Sequence, residues 1–266
     1  MSSVRQPAVA GMFYPADPAE LSAVVQNYLQ AAHPPVGPVP KAIIAPHAGY
    51  IYSGPVAATA YATLARAAKT IRRVVVLGPS HRVPFHGLAV STADAFMTPL
   101  GSIQLDRPSI ESLLTLPQVR ALDEAHRLEH SLEVQLPFLQ RTLASFTLVP
   151  VVVGEASPQD VSEALDLLWG GAETLIVVSS DLSHYQDYAT AQRLDRATSD
   201  AIERLDPSAI RYEQACGRNP VNGLLHSAVR RHLRVTTVDL RNSGDTAGPR
   251  DQVVGYGAYL FTSYGG

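Results

Sequence analysis

Short, unbroken apolar runs recur along this chain, each cut off by Gly, Pro or Ser. Such runs read as strands buried on both faces, the interior of an α/β sheet, since a strand with one solvated face alternates instead. Three of them end in a histidine: KAIIAPH at Lys41 to His47, RRVVVLGPSH at Arg72 to His81, and TLIVVSSDLSH at Thr174 to His184. Two more, Phe146 to Val153 and Val253 to Phe261, predict further strands, as does Val235 to Leu240.

Helical patterns fall between these strands. Asp17 can cap a first helix, with Pro18 at its first position and Glu20 closing a capping box. Leu21, Val24, Val25 and Leu29 then form its apolar stripe. A small-residue helix is expected from Pro55 to about Ala68, and another from Leu128 to Leu143, bent at Pro137. Pro158 to Leu168 carries Val161, Leu165 and Leu168 on one side. Ala189 to Leu233 holds two or three helices. GLAVST and SIQLD predict short strands of a flap or sheet extension. Alternation of strand and helix without repeat or linker predicts one α/β domain over 1–266, with a mixed, mostly parallel central sheet and helices on both faces.

Composition narrows the function. With 266 residues, 46% of them hydrophobic, the chain can bury a large core. A net charge of -3 has the wrong sign for nucleic-acid binding. No apolar run is long enough to span a membrane, and the N-terminal stretch is too short for a secretion signal. A cytoplasmic location is the resulting expectation. A lone cysteine, Cys216, excludes an internal disulfide.

In α/β sheets ligands sit outside the carboxyl ends of the strands, so His47, His81 and His184 are expected at one sheet edge. Imidazole is the commonest protein metal ligand and titrates near neutral pH. Two imidazoles and a carboxylate on one face, with open positions opposite, make a non-haem iron site. His47 and His81 are the best imidazole pair. Asp245, on the polar loop RNSGDTAGPRD, is the best carboxylate, with Asp181 its competitor. His184 is then free for acid/base work. Read alone, each residue has a plainer alternative: a loop histidine, a turn-stabilising aspartate. Tyr50 and Tyr52 follow the first His-bearing strand and fit either a pocket wall or ordinary core.

The segments AVAGMFYP, PHAGYIYSGPVAA, LGPSHRVPF, EHSLEVQLPFL, SSDLSHY, ACGRNP and SGD, spread from Ala8 to about Tyr259, resemble the Memo family, whose prokaryotic members look like protein B of the AmmeMemoRadiSam system. That family is similar in fold to the class III extradiol (LigB-like) dioxygenases, which cleave aromatic rings with Fe(II) and oxygen. The resemblance implies metal ligation by His47 and His81. The third ligand is a cysteine in animal members. Here the corresponding loop offers Asp245, while Cys216 belongs to the ACG motif and the pocket. His184 resembles the dioxygenase acid/base histidine. The resemblance further places Asp181 beside it and lets His130 and Glu133 line or brace the pocket. Fe(II) is the expected cofactor, with copper or zinc as alternatives. The implied partners are a small aromatic substrate (catechol-like or indole-derived) and O2, together with radical-SAM and AMMECR-like proteins.

Other chemistries compete. HRLEH, His126 to His130, fits an inverted zinc-protease pattern, although Leu128 and Leu132 suit a packed helix. Zinc at the expected centre would instead activate water as in a hydrolase. SSDLSH lacks the nucleophile elbow of a serine hydrolase, and GYGAYL lacks the third Gly of a phosphate loop. A metal-binding or partner-binding protein without turnover is the non-enzyme alternative.

Overall fold

The computed structural model describes residues 3–263. Its main sheet has nine strands. The centre is parallel: β2 (Ala42–Ala45), β9 (Thr174–Ser179), β3 (Arg73–Pro79) and β8 (Thr147–Val153) lie side by side in that order. Nearly every residue of these four strands is buried, which is why their sequences run apolar without alternation. Antiparallel pairing begins on both flanks. Beyond β8 come β4 (Leu88–Val90) and β7 (Val119–Ala121). Beyond β2 comes β12 (Val253–Ser263), which pairs also with β11 (Leu233–Asn242) and the short β10 (His184–Gln186). A separate three-stranded sheet joins β1 (Val4–Arg5), β5 (Ala95–Thr98) and β6 (Gly101–Gln104). GLAVST therefore joins the main sheet, and only SIQLD belongs to the flap.

Helices cover both faces. α2 (Tyr50–Ala62) packs on β2, β11 and β12, with α1 (Pro18–Ala31) and α5 (Leu136–Thr142) beside it. α8 (Arg218–Arg230) packs on β3, β9 and α6 (Pro158–Leu168), and α7 (Tyr188–Glu203) on β11 and β12. The short helices α3 (Arg107–Leu113) and α4 (Asp123–Arg127) complete the set. The expected mixed α/β architecture is the one observed, its four parallel pairings at β2–β9, β9–β3, β3–β8 and β4–β7 matched by as many antiparallel ones among the described residues.

Details differ where local chemistry overrides periodicity. Asp17 caps α1 by accepting from the Glu20 amide, but the return bond of a capping box is absent. α2 starts at Tyr50 and takes Pro55 inside it, with a 3-10 turn at Thr63–Ala67 finishing the segment. The expected long helix from Leu128 does not form. α4 stops at Arg127, a loop carries Glu129 and His130, and α5 begins at Leu136 with Pro137 in its first turn, where proline is tolerated. Among the described residues, no helix is long and apolar enough to cross a membrane.

Candidate metal centre

The strand order brings His47 and His81 together. β2 and β3 flank β9, so their carboxyl ends straddle the end of the strand that leads to Asp181. Pro46 ends the β2 ladder, and the His47 amide donates to Asp181 Oδ1 at 2.7 Å. The His47 and His81 rings meet edge to face, 5.2 Å between centroids.

Hydrogen bonds behind each ring fix which nitrogen is free. Ser179 Oγ gives its single proton to the Ser131 carbonyl at 2.6 Å and accepts from Gln135 Nε2 at 2.8 Å. It can therefore only accept from His47 Nδ1, 2.8 Å away, which leaves the Nε2 lone pair facing forward. Glu129 does the same for His81. Its carboxylate, which only accepts, lies 2.8 Å from His81 Nδ1. It also takes the backbone N–H groups of His81, His130 and Ser131 at 2.6–2.9 Å. Burial opposes the charge on Glu129, but these donors outweigh it and hold the carboxyl down to about 2.

The third member is Cys216. Its Sγ is 3.3 Å from His47 Nε2, and the donor atoms of His47, His81 and Cys216 all lie within 4.8 Å of one another. The cysteine arrives on the loop before α8, and the loop reaches β9 because the next residue is Gly217. A Cβ there would stand 2.6 Å from Ser180 Cβ and 2.7 Å from the Ser179 carbonyl oxygen. Burial, then the charge of Asp181, pushes the thiol up, while burial and the neighbouring histidines keep His47 well below its usual range and so neutral. Nitrogen and sulfur ligands about 2.1 and 2.3 Å from a tetrahedral metal stand roughly 3.3–3.8 Å apart. The Cys216–His47 pair stands at that spacing, and the rest of the group lies within 4.8 Å.

Asp245 is not brought to the two imidazoles. β11 leads to it, and β11 lies two strands beyond β2, roughly 10 Å at the usual spacing. Its carboxylate instead closes a 3-10 turn, accepting from the Asn242 amide and the Tyr188 hydroxyl, with Arg250 nearby. Cys216, expected in the pocket wall, stands where the third donor was looked for.

The other expected residues separate into those facing the cluster and those behind it. Asp181 is buried, and burial raises its carboxyl to about 6 although the His47 N–H opposes the shift. His184 lies on β10, close enough for its charge to act on both His47 and Asp181. His130 stacks on His81 at 4.5 Å, and burial holds it down to about 4. Tyr52 sits half-buried beside Gly49. Tyr50 is fully packed against Tyr14 and Phe138, its hydroxyl donating to the Val134 carbonyl, so it is core rather than pocket wall. Glu133 is also structural. Buried, it takes Arg5, the amides of Ala8 and Val9 and the Tyr14 hydroxyl, and so pins the N-terminal segment whose Phe13 packs on His130.

HRLEH does not form a zinc motif. His126 is buried under Phe96 with Nε2 on the Ala89 carbonyl, while Glu129 serves His81. Sequence reasoning missed the orienting roles of Ser179, Gln135 and Glu129. Glu129 alone left a signal, through its place beside His130 in EHSLE.

The structure thus defines an α/β protein with a preorganised His-His-Cys cluster at the carboxyl edge of its parallel strands. The chain belongs to the Memo family: the model for Memo-like protein matches residues 5–260. A MEMO1 family protein of Aquifex aeolicus is 38% identical, covering 97% of this chain and 99% of the relative. One from Methanopyrus kandleri is 37% identical over 97% and 98%. A solved structure, an uncharacterized protein JW3007 from Escherichia coli K12, shares the fold with a TM-score of 0.50 at 14% identity, covering 81% of this chain and 98% of the other.

Proposed function

We propose that this chain is a non-haem Fe(II) metalloprotein that oxidatively opens a small aromatic substrate bearing two adjacent oxygens. His47, His81 and Cys216 would hold the metal. The observation that carries the reading is the convergence of three donor atoms, two of them on rings whose far nitrogens are already fixed by Ser179 and Glu129. Bound Fe(II) supplies the one-electron chemistry that lets triplet oxygen react with a closed-shell ring. The chain's own residues do the rest. Asp181, with its carboxyl near 6, can hold a proton beside the His47 amide. His184, on the neighbouring edge strand, moves protons between substrate and solvent. His130, kept neutral against His81, walls the cluster on one side and excludes water.

Oxygen uptake by the Fe(II)-loaded protein, screened over aromatic diols and indole-derived rings, tests the proposal. Turnover should vanish in His184→Ala while bound iron persists. Undiminished turnover in that variant would remove the proton-transfer role, and no uptake on any substrate would favour a metal-binding protein without turnover. The thiol in the donor set gives one competing reading specific support, a zinc-dependent hydrolase with Asp181 as base, since zinc accepts His and Cys together. Metal preference separates the two.

A further inference from the structure

A cavity of about 420 Å³ reaches Cys216 from the side where α8 begins and β8 ends. A second cavity of about 650 Å³ adjoins it, the two sharing His86, Glu155, Arg218 and Asn219 in their walls. Arg218 stands at this junction, two residues after Cys216. Its guanidinium carbon lies over the Tyr212 ring, 3.8 Å from the centroid, a contact that restrains the fork. Among the described residues it makes no ion pair. Among the described residues its Nε is buried without a hydrogen-bond partner, and its guanidinium makes one bond, a long one of 3.3 Å from Nη2 to Asn219 Oδ1. Glu155, the carboxylate both cavities share, accepts instead from the Tyr212 hydroxyl at 2.6 Å. One turn further along α8, Asn222 lines the larger cavity, 5% exposed, its Oδ1 also unpartnered.

A buried donor with no acceptor is destabilising, so native structures rarely keep one without a use. Here a cationic donor and a buried amide line the same cavity. An oxyanion would satisfy the fork in the planar, two-point manner that guanidinium favours. The amide can turn either its oxygen or its NH2 toward the rest of the same ligand.

We infer that the Arg218 cavity seats the carboxylate of the ligand that reaches the His-His-Cys cluster, so that the substrate is an aromatic carboxylic acid rather than a neutral ring. This rests on the proposed metal chemistry for the head of the ligand but not for its tail. Arg218 is the specificity residue, Asn219 and Tyr212 position it, and Asn222 contacts the body of the ligand.

Calorimetric titration tests this with three probes: catechol, 3,4-dihydroxycinnamate and cinnamate. Each is titrated into the metal-free protein and, without oxygen, into the Fe(II)-loaded protein. In the Fe(II)-loaded wild type the dihydroxycinnamate should bind roughly ten- to a hundred-fold tighter than catechol, the worth of a charge-assisted pair. That ratio should fall to near one in Arg218→Gln. It should be intermediate in Arg218→Lys, which keeps the charge and loses the fork. Cinnamate should bind metal-free wild type and not Arg218→Gln. A ratio near one in the wild type, or one undiminished in both variants, overturns the inference. If the Gln variant does not fold, an undiminished ratio in the Lys variant alone overturns it. Diol binding that ignores Fe(II) while cinnamate still needs Arg218 would defeat the metal reading and leave the carboxylate site standing.

Discussion

The two ends of the central strands handle polar groups in opposite ways. At the amino end, Lys41 donates to the carbonyls of Gly171 and Thr174 and lies over the Trp169 ring. Arg73 bonds the hydroxyls of Ser109 and Thr174 and pairs with Glu173. Each cation there meets acceptors. At the carboxyl end, His47 and His81 are oriented from behind, by Ser179 and Glu129, and in front the Cys216 thiol meets His47 Nε2 at 3.3 Å, the donor atoms of all three residues lying within 4.8 Å of one another. The first end is closed by the chain's own partners, and the second gathers three donor atoms that could hold the proposed metal.

The contrast can be broken at the cluster, with the largest effect. Cys216→Ala or His47→Ala should weaken Fe(II) binding by at least about a thousand-fold, since a three-donor protein site reduced to two holds divalent metal poorly. Metal content after dialysis against a chelator reads this out.

Next in size is a charge that the carboxyl half of the molecule buries without a cation. Burial raises Asp195 from 3.8 to about 6, opposed only by bonds from Ser183. The unfolded chain gives up this proton first, so stability falls as pH rises from about 4 to about 6 and then levels. Two pH units at ~1.4 kcal/mol each bound the loss at about 3 kcal/mol. Asp195→Asn should recover part of that at pH 7 and flatten this segment of the profile, which denaturant melts across pH will show.

Glu129→Gln sharpens the comparison further. It keeps the shape but presents an NH2 group to donors, so His81 loses its fixed tautomer. Metal affinity should drop roughly ten- to a hundred-fold, the usual cost of losing an orienting carboxylate. The smallest effect belongs to the amino end. Lys41→Met should leave metal affinity unchanged and cost about 1 kcal/mol of stability, because two carbonyls lose a donor near solvent.

The parallel core and the placement of His47 and His81 at one sheet edge were legible in the sequence because both are local. A buried strand announces itself by an unbroken apolar run, and a histidine just after it must sit at the carboxyl edge. Neighbourhood along that edge was not legible. It depends on strand order, which places β9 between β2 and β3 and pushes β11 two strands outward. Hence Asp245, chosen as a polar residue past a strand, closes its own turn instead. Cys216 comes from 169 positions away in the chain and is admitted by the missing side chain of Gly217, a contact no periodicity encodes. The expected helix from Leu128 failed for a related reason. Its first residues are held as a loop in which the Glu129 carboxylate accepts the His130 and Ser131 amides.

The most direct test is an anaerobic Fe(II) titration of the metal-free protein beside His81→Ala, Cys216→Ala and Asp245→Ala. One tight site lost in the first two variants and intact in the third is the predicted result. A site that survives Cys216→Ala and disappears in Asp245→Ala would contradict the cluster and return the third position to the carboxylate.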